Sequence, residues 1–107
     1  MDGFTIHLDR RGPETVISLA GEMDLATADD VRSAGEQAVH DDAVSVVAFD
    51  LSQVTFMDST GLGALLAVRK AGEEVGVKVR VDKASDAVAH VLTLTGLADA
   101  FDIITVT

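Results

Sequence analysis

Segments patterned as strands alternate with segments patterned as helices along this chain, and that alternation constrains its fold more than any other feature. Residues 4–8 alternate apolar and polar side chains and run into the turn signal Arg11-Gly12-Pro13. Residues 15–20 resume the extended pattern, so the two stretches predict a hairpin. Residues 44–51 are almost continuously apolar, as in a strand buried on both faces. Residues 77–81 alternate cleanly, and residues 103–106 predict a short closing strand.

Three helical patterns fill the gaps. The first starts at Thr27 and carries Ala28, Val31, Gly35 and Ala38 at three- and four-residue spacing. Thr27 with Asp30 three residues on has the form of a capping box, with Asp in place of the usual Glu. An acidic first turn there suits the positive end of the helix dipole. The second pattern covers residues 59–74, with Leu62, Leu65, Val68 and Gly72 in one stripe. The third follows Asp86 as N-cap, carries Val88, Val91, Leu92 and Thr95, and stops at Gly96. The order implies an α/β fold: a small mixed sheet, mostly parallel, with an antiparallel N-terminal hairpin. At 107 residues the whole chain, 1–107, matches a single domain, since domains run to about 100–150 residues.

Composition removes several function classes. Cysteine is absent, which excludes disulfides and thiolate metal sites. The net charge is −10, which argues against nucleic acid and anionic membranes as partners and favours solubility; a solvated acidic surface accounts for it, and a basic partner is the other reading. Residues 61–68 form the longest uncharged apolar run and stop at Arg69, far short of the ~20 residues that span a membrane. The start, Met1-Asp2-Gly3-Phe4, lacks the basic and apolar regions of a signal peptide. These features predict a soluble, cytoplasmic protein.

The chemistry concentrates where the apolar strand gives way to the second helix, at Asp58-Ser59-Thr60. Functional groups in open α/β sheets gather at the carboxyl ends of strands. Ser59 falls in the first helical turn, where free N–H groups and the dipole favour an added phosphate, while the charge of Asp58 opposes it. Simple helix capping by Asp58, Ser59 or Thr60 is the competing role. A hydrolase fits poorly. Met57-Asp58-Ser59-Thr60-Gly61 is one glycine short of a nucleophile elbow, and only His7, His40 and His90 could act as base. No P-loop occurs, and the pairs Asp29-Asp30 and Asp41-Asp42 lack calcium-loop spacing. The expectation is no catalytic residue, no metal and no bound cofactor.

The segment Phe56-Met57-Asp58-Ser59-Thr60-Gly61-Leu62-Gly63 resembles the signature of the STAS domain, found in sulfate transporters and anti-sigma factor antagonists. Gly21-Glu22-Met23-Asp24 and Leu94-Thr95-Gly96-Leu97, followed by Phe101, resemble two flanking stretches of the same family. The resemblance implies a small sheet with helices on one side. It implies an anti-sigma factor antagonist that works by partner switching. The unmodified form binds a kinase-type anti-sigma factor and frees a sigma factor. The kinase, which supplies ATP and magnesium, then phosphorylates the antagonist, and a serine phosphatase resets it. Alignment puts the phospho-acceptor at Ser59, with Thr60 as the alternative. Glu22, Asp24, Met57, Asp58, Ser59, Thr60, Gly61 and Leu62 align with the partner-binding surface. The glycines Gly61 and Gly63 would leave room for a kinase to approach the helix start. The alternative role is a phosphorylation-independent STAS scaffold subunit of a signalling or lipid-transport complex.

Overall fold

The computed structural model describes residues 3–97, 101, 105 and 106. In chain order the elements are β1 (Thr5–Arg11), β2 (Glu14–Met23), α1 (Leu25–Val39), β3 (Val46–Met57), α2 (Ser59–Val75), β4 (Lys78–Ala84), α3 (Asp86–Leu94) and β5 (Thr105–Val106). They form one five-stranded sheet in the order β1-β2-β3-β4-β5. The expected hairpin is present: β1 and β2 pair antiparallel from Thr5↔Ala20 to Arg11↔Glu14, and Gly12 takes the positive φ of 61° that their tight turn requires. The other neighbours are parallel. Because each parallel step moves the same way across the sheet, right-handed crossovers place every helix on one face.

Burial follows that layering. Ile17 and Leu19 of β2, Phe49 and Leu51 of β3, and Val81 of β4 lie fully or almost fully buried beneath the helices with Val31, Leu65, Val68, Val88, Leu92 and Phe101. Their strand neighbours Val16, Ser18, Asp50, Arg80 and Asp82 point to the open face and are half-buried. The middle strand β3 is covered on both faces, as its apolar run predicts, but by different means. On the open face Arg80 of β4 reaches Glu14 Oε2 of β2 at 2.7 Å and Asp82 Oδ1 at 2.5 Å, and Ala48, paired with Arg80 in register, is fully buried. An ion bridge rather than a second helix layer closes that side.

The strands expected at 4–8, 15–20 and 77–81 run further, to Arg11, Met23 and Ala84, and three other boundaries differ from expectation for identifiable reasons. The first helix begins at Leu25, not Thr27. Asp24 is its N-cap, and Thr27 is the third residue of the capping box, its Oγ1 accepting the Asp24 N–H at 3.0 Å. The first turn therefore carries no acidic residue. The third helix is capped by Ser85, whose Oγ accepts the Val88 N–H at 3.3 Å, so Asp86 lies inside it. Its predicted stop holds, with Gly96 at φ 74°. Strand β3 continues to Met57 instead of ending near Leu51, because residues 52–57 stay paired with the end of β2 through two register shifts. Of the predicted closing strand, Thr105 and Val106 pair with β4, while Ile103 and Ile104 lie outside the described residues.

Candidate functional site

Strands β2 and β3 end side by side, in register at Met23↔Met57, and each is followed by an aspartate that caps a helix. The Asp58 N–H donates to the Met23 carbonyl at 3.1 Å, locking the two strand ends together. Asp24 and Asp58 thus open α1 and α2 at the same end of the sheet, where the sequence places the chemistry.

Asp58 takes the capping role. Its Oδ1 accepts the N–H groups of Thr60 at 2.9 Å and Gly61 at 3.0 Å, and its carbonyl accepts the Leu62 N–H at 3.0 Å. These bonds favour the ionised form. The Gly61 N–H is the main cause that holds the Asp58 carboxyl below the ordinary aspartate range; partial burial works against it, and the Thr60 hydroxyl and N–H add to the lowering. A depressed folded pKa contributes stability that is complete above the unfolded value of about 3.9 and is lost as pH falls through the folded value. Asp58→Asn keeps a capping oxygen but cannot titrate. It is expected to flatten the dependence of melting temperature on pH below about 4, measured by circular dichroism, while Asp58→Ala lowers the melting temperature at neutral pH as well.

Ser59 is the first residue of α2 and is exposed. Among the described residues nothing hydrogen-bonds its hydroxyl. Thr60 is equally exposed, and among the described residues its hydroxyl also makes no hydrogen bond of good geometry; only its N–H is held, by Asp58 Oδ1. Of the first-turn N–H groups expected to welcome a phosphate, those of Thr60 and Gly61 are already held by Asp58. The three histidines lie on β1 (His7), at the end of α1 (His40) and on α3 (His90). His40 Nδ1 sits 2.8 Å from the Glu36 carbonyl. Among the described residues no group of three or more His, Cys, Asp or Glu side chains could hold a metal ion, and no helix is long and apolar enough to cross a membrane.

The remaining predicted residues divide into rim and support. Glu22 is exposed, and its carbonyl accepts the Thr27 hydroxyl at 2.9 Å. Asp24 is half-buried and accepts the Ala26 N–H at 3.0 Å. Met57, Gly61 and Leu62 are buried, so in the free chain they support the site from beneath and present almost no surface. Gly61 corrects its expected purpose. A Cβ there would stand 2.6 Å from the Met23 carbonyl oxygen, so this glycine lets α2 pack onto the end of β2. Gly63 meets nothing within 4 Å and does leave open surface. Sequence reasoning missed two apolar rim residues, Leu25 at 77% and Phe56 at 48% exposure. No local pattern marked Phe56, because residues 52–57 are held extended only by pairing with β2, which buries Met57 and leaves Phe56 exposed beside Glu22 in register. A cleft of about 490 Å³ borders the rim, lined by Phe4, Glu22, Asp24, Ala26, Thr27 and Thr55 among others.

Residues 5–106 match the family model of the STAS domain. This chain belongs to the STAS domain family. The STAS chain is 33% identical over 101 residues to the anti-sigma-B factor antagonist of Listeria monocytogenes, covering 94% of this chain and 88% of the relative. Among solved structures it resembles an anti-sigma factor antagonist from Mycobacterium paratuberculosis, with TM-score 0.78, 31% identity, and coverage of 94% of this chain and 84% of the other. It also resembles the anti-sigma factor antagonist SpoIIAA in its unphosphorylated form, with TM-score 0.80, 25% identity, and coverage of 96% and 89%. The expected small sheet with helices on one face is therefore the STAS fold, and the two aspartate-capped helix starts sit within its matched region.

Proposed function

We propose that this STAS domain is an anti-sigma factor antagonist that binds a kinase-type anti-sigma factor and is released when Ser59 is phosphorylated. The observation that supports the reading is the Ser59 hydroxyl, exposed at the first residue of α2 and, among the described residues, unbonded. The names of similar proteins supply the antagonist role.

In the transfer step the Ser59 Oγ attacks the γ-phosphorus of ATP, the bond to the bridging oxygen breaks, and ADP leaves. The hydroxyl proton passes to a base on the kinase, which also brings magnesium. A serine phosphatase returns the hydroxyl by hydrolysis. The exposed rim of Glu22, Leu25, Phe56, Ser59 and Thr60 offers the partner apolar contacts edged with negative charge, and the chain's net charge of −10 suits a basic partner surface.

The test is to incubate the protein with a kinase-type anti-sigma factor and ATP and to map the modification by mass spectrometry. One phosphate on Ser59, absent from Ser59→Ala, is the expected result. Phosphate on Thr60 would keep the mechanism and move the acceptor. No phosphate, with a kinase shown to be active on another substrate, would leave the phosphorylation-independent scaffold as the role.

A further inference from the structure

Strand β1 forms one edge of the sheet and, among the described residues, pairs only with β2. Its side chains sort by register. Leu8 lies opposite the buried Ile17 and so faces the helix side, yet it remains 49% exposed. His7 and Asp9 lie opposite Ser18 and Val16 and face the open side. An edge of this kind exposes a row of backbone N–H and C=O groups.

We propose that β1 is a self-association edge, and that its occupant is the β1 strand of a second copy paired antiparallel about a two-fold axis at Leu8. The sequence of the strand is self-complementary in that register. Leu8 meets Leu8, His7 meets Asp9, and Ile6 meets the aliphatic stem of Arg10, each twice or on the axis. Shifting the pairing by two residues one way sets Asp9 against Asp9. Shifting it the other way sets His7 against His7 and leaves Arg10 and Arg11 opposite no strand residue. The centred register alone combines the exposed leucine with opposed hydrogen-bonding or charged partners.

The pairing would join two five-stranded sheets into one continuous sheet, with both helix layers on the same face and the two Ser59 sites at opposite ends. The interface is a single strand of seven residues from each copy, small beside the ~800 Å² per partner of a standard interface, so the association is weak. The general repulsion between two chains of charge −10 also weakens it, and screening by salt relieves that repulsion.

Because the chain has no cysteine, a single introduced thiol reports the register directly. In this pairing two Leu8→Cys thiols face each other, within disulfide reach. Two Ile6→Cys thiols stand four residues apart along the strands, roughly 13 Å, which is too far. Under mild oxidation at near-physiological salt, Leu8→Cys is expected to form disulfide dimers about tenfold faster than Ile6→Cys, since a paired thiol has an effective concentration in the millimolar range. Sedimentation equilibrium of the unmodified chain is expected to show dimer growing with concentration, and Leu8→Glu, at an exposed position that leaves folding intact by circular dichroism, is expected to abolish it. Equal cross-linking rates, or a monomer at every concentration up to ~1 mM, would overturn the pairing.

Discussion

Phosphorylation of Ser59 is expected to weaken the complex with the anti-sigma factor roughly 100- to 1,000-fold, an equivalent of ~3–4 kcal/mol. The size of the effect follows from where the charge lands. A phosphoserine adds about −1.5 to −2 charges at neutral pH. At many helix starts such a group would be stabilised by unpaired amides and the dipole, but here the Asp58 carboxylate already occupies the amides of Thr60 and Gly61. The phosphate therefore gains little from its own chain. It adds repulsion from an ionised Asp58 one residue away and, in the proposed complex, would place that charge against the partner. Isothermal titration calorimetry of the phosphorylated and unmodified forms against the same partner measures the difference. Ser59→Ala is expected to bind like the unmodified chain and to resist release by ATP. Equal affinities for the two forms would rule the mechanism out. Because the amides of Thr60 and Gly61 are already held by Asp58, the far-ultraviolet circular dichroism spectrum is expected to stay unchanged on modification. A switch that worked by refolding the domain would alter it.

Gly61→Ala is expected to destabilise the fold by about 2–3 kcal/mol, whereas Gly63→Ala, two positions away in the same motif, is expected to stabilise it by about 0.5–1 kcal/mol. The contrast rests on what each added methyl meets. At Gly61 it runs into the carbonyl oxygen of Met23 at 2.6 Å, and that carbonyl also holds the Asp58 N–H, so neither backbone can yield without breaking the junction of β2, β3 and α2. At Gly63 it enters open space, and alanine gains the helix propensity that glycine lacks. For a chain of this size the Gly61 effect corresponds to roughly 10 °C or more in melting temperature, out of a total stability of about 5–15 kcal/mol. Thermal and urea unfolding of both variants measures it. If Gly61→Ala unfolds like the unmodified protein, the glycine serves the partner surface after all and not the packing.

Element order, the hairpin, the parallel crossovers and the end of α3 at Gly96 were legible because each leaves a periodic or stereochemical mark: a period of two, a period of 3.6, or a glycine at positive φ. The starts of α1 and α3 were misplaced by one or two residues because Thr27, Asp86, Asp24 and Ser85 are all competent caps. Which of them leaves helical geometry depends on where the preceding strand releases the chain. The length of β3 was hidden for a related reason. Residues 52–57 carry little apolar alternation, and only pairing with β2 across two register shifts keeps them extended.

The sequence by itself determined the type of each element, the family, and the identity of the hydroxyls and carboxylates at the second helix start, since these depend on local pattern and on residue chemistry. The tertiary structure decided which of those groups is available. It assigned Asp58 to the cap, left the Ser59 hydroxyl exposed and unbonded among the described residues, and buried Met57, Gly61 and Leu62 while exposing Phe56 and Leu25. Availability is set by what lies opposite a residue once β2, β3, α1 and α2 converge, and that is a property of contacts between segments distant in sequence, which no local window contains.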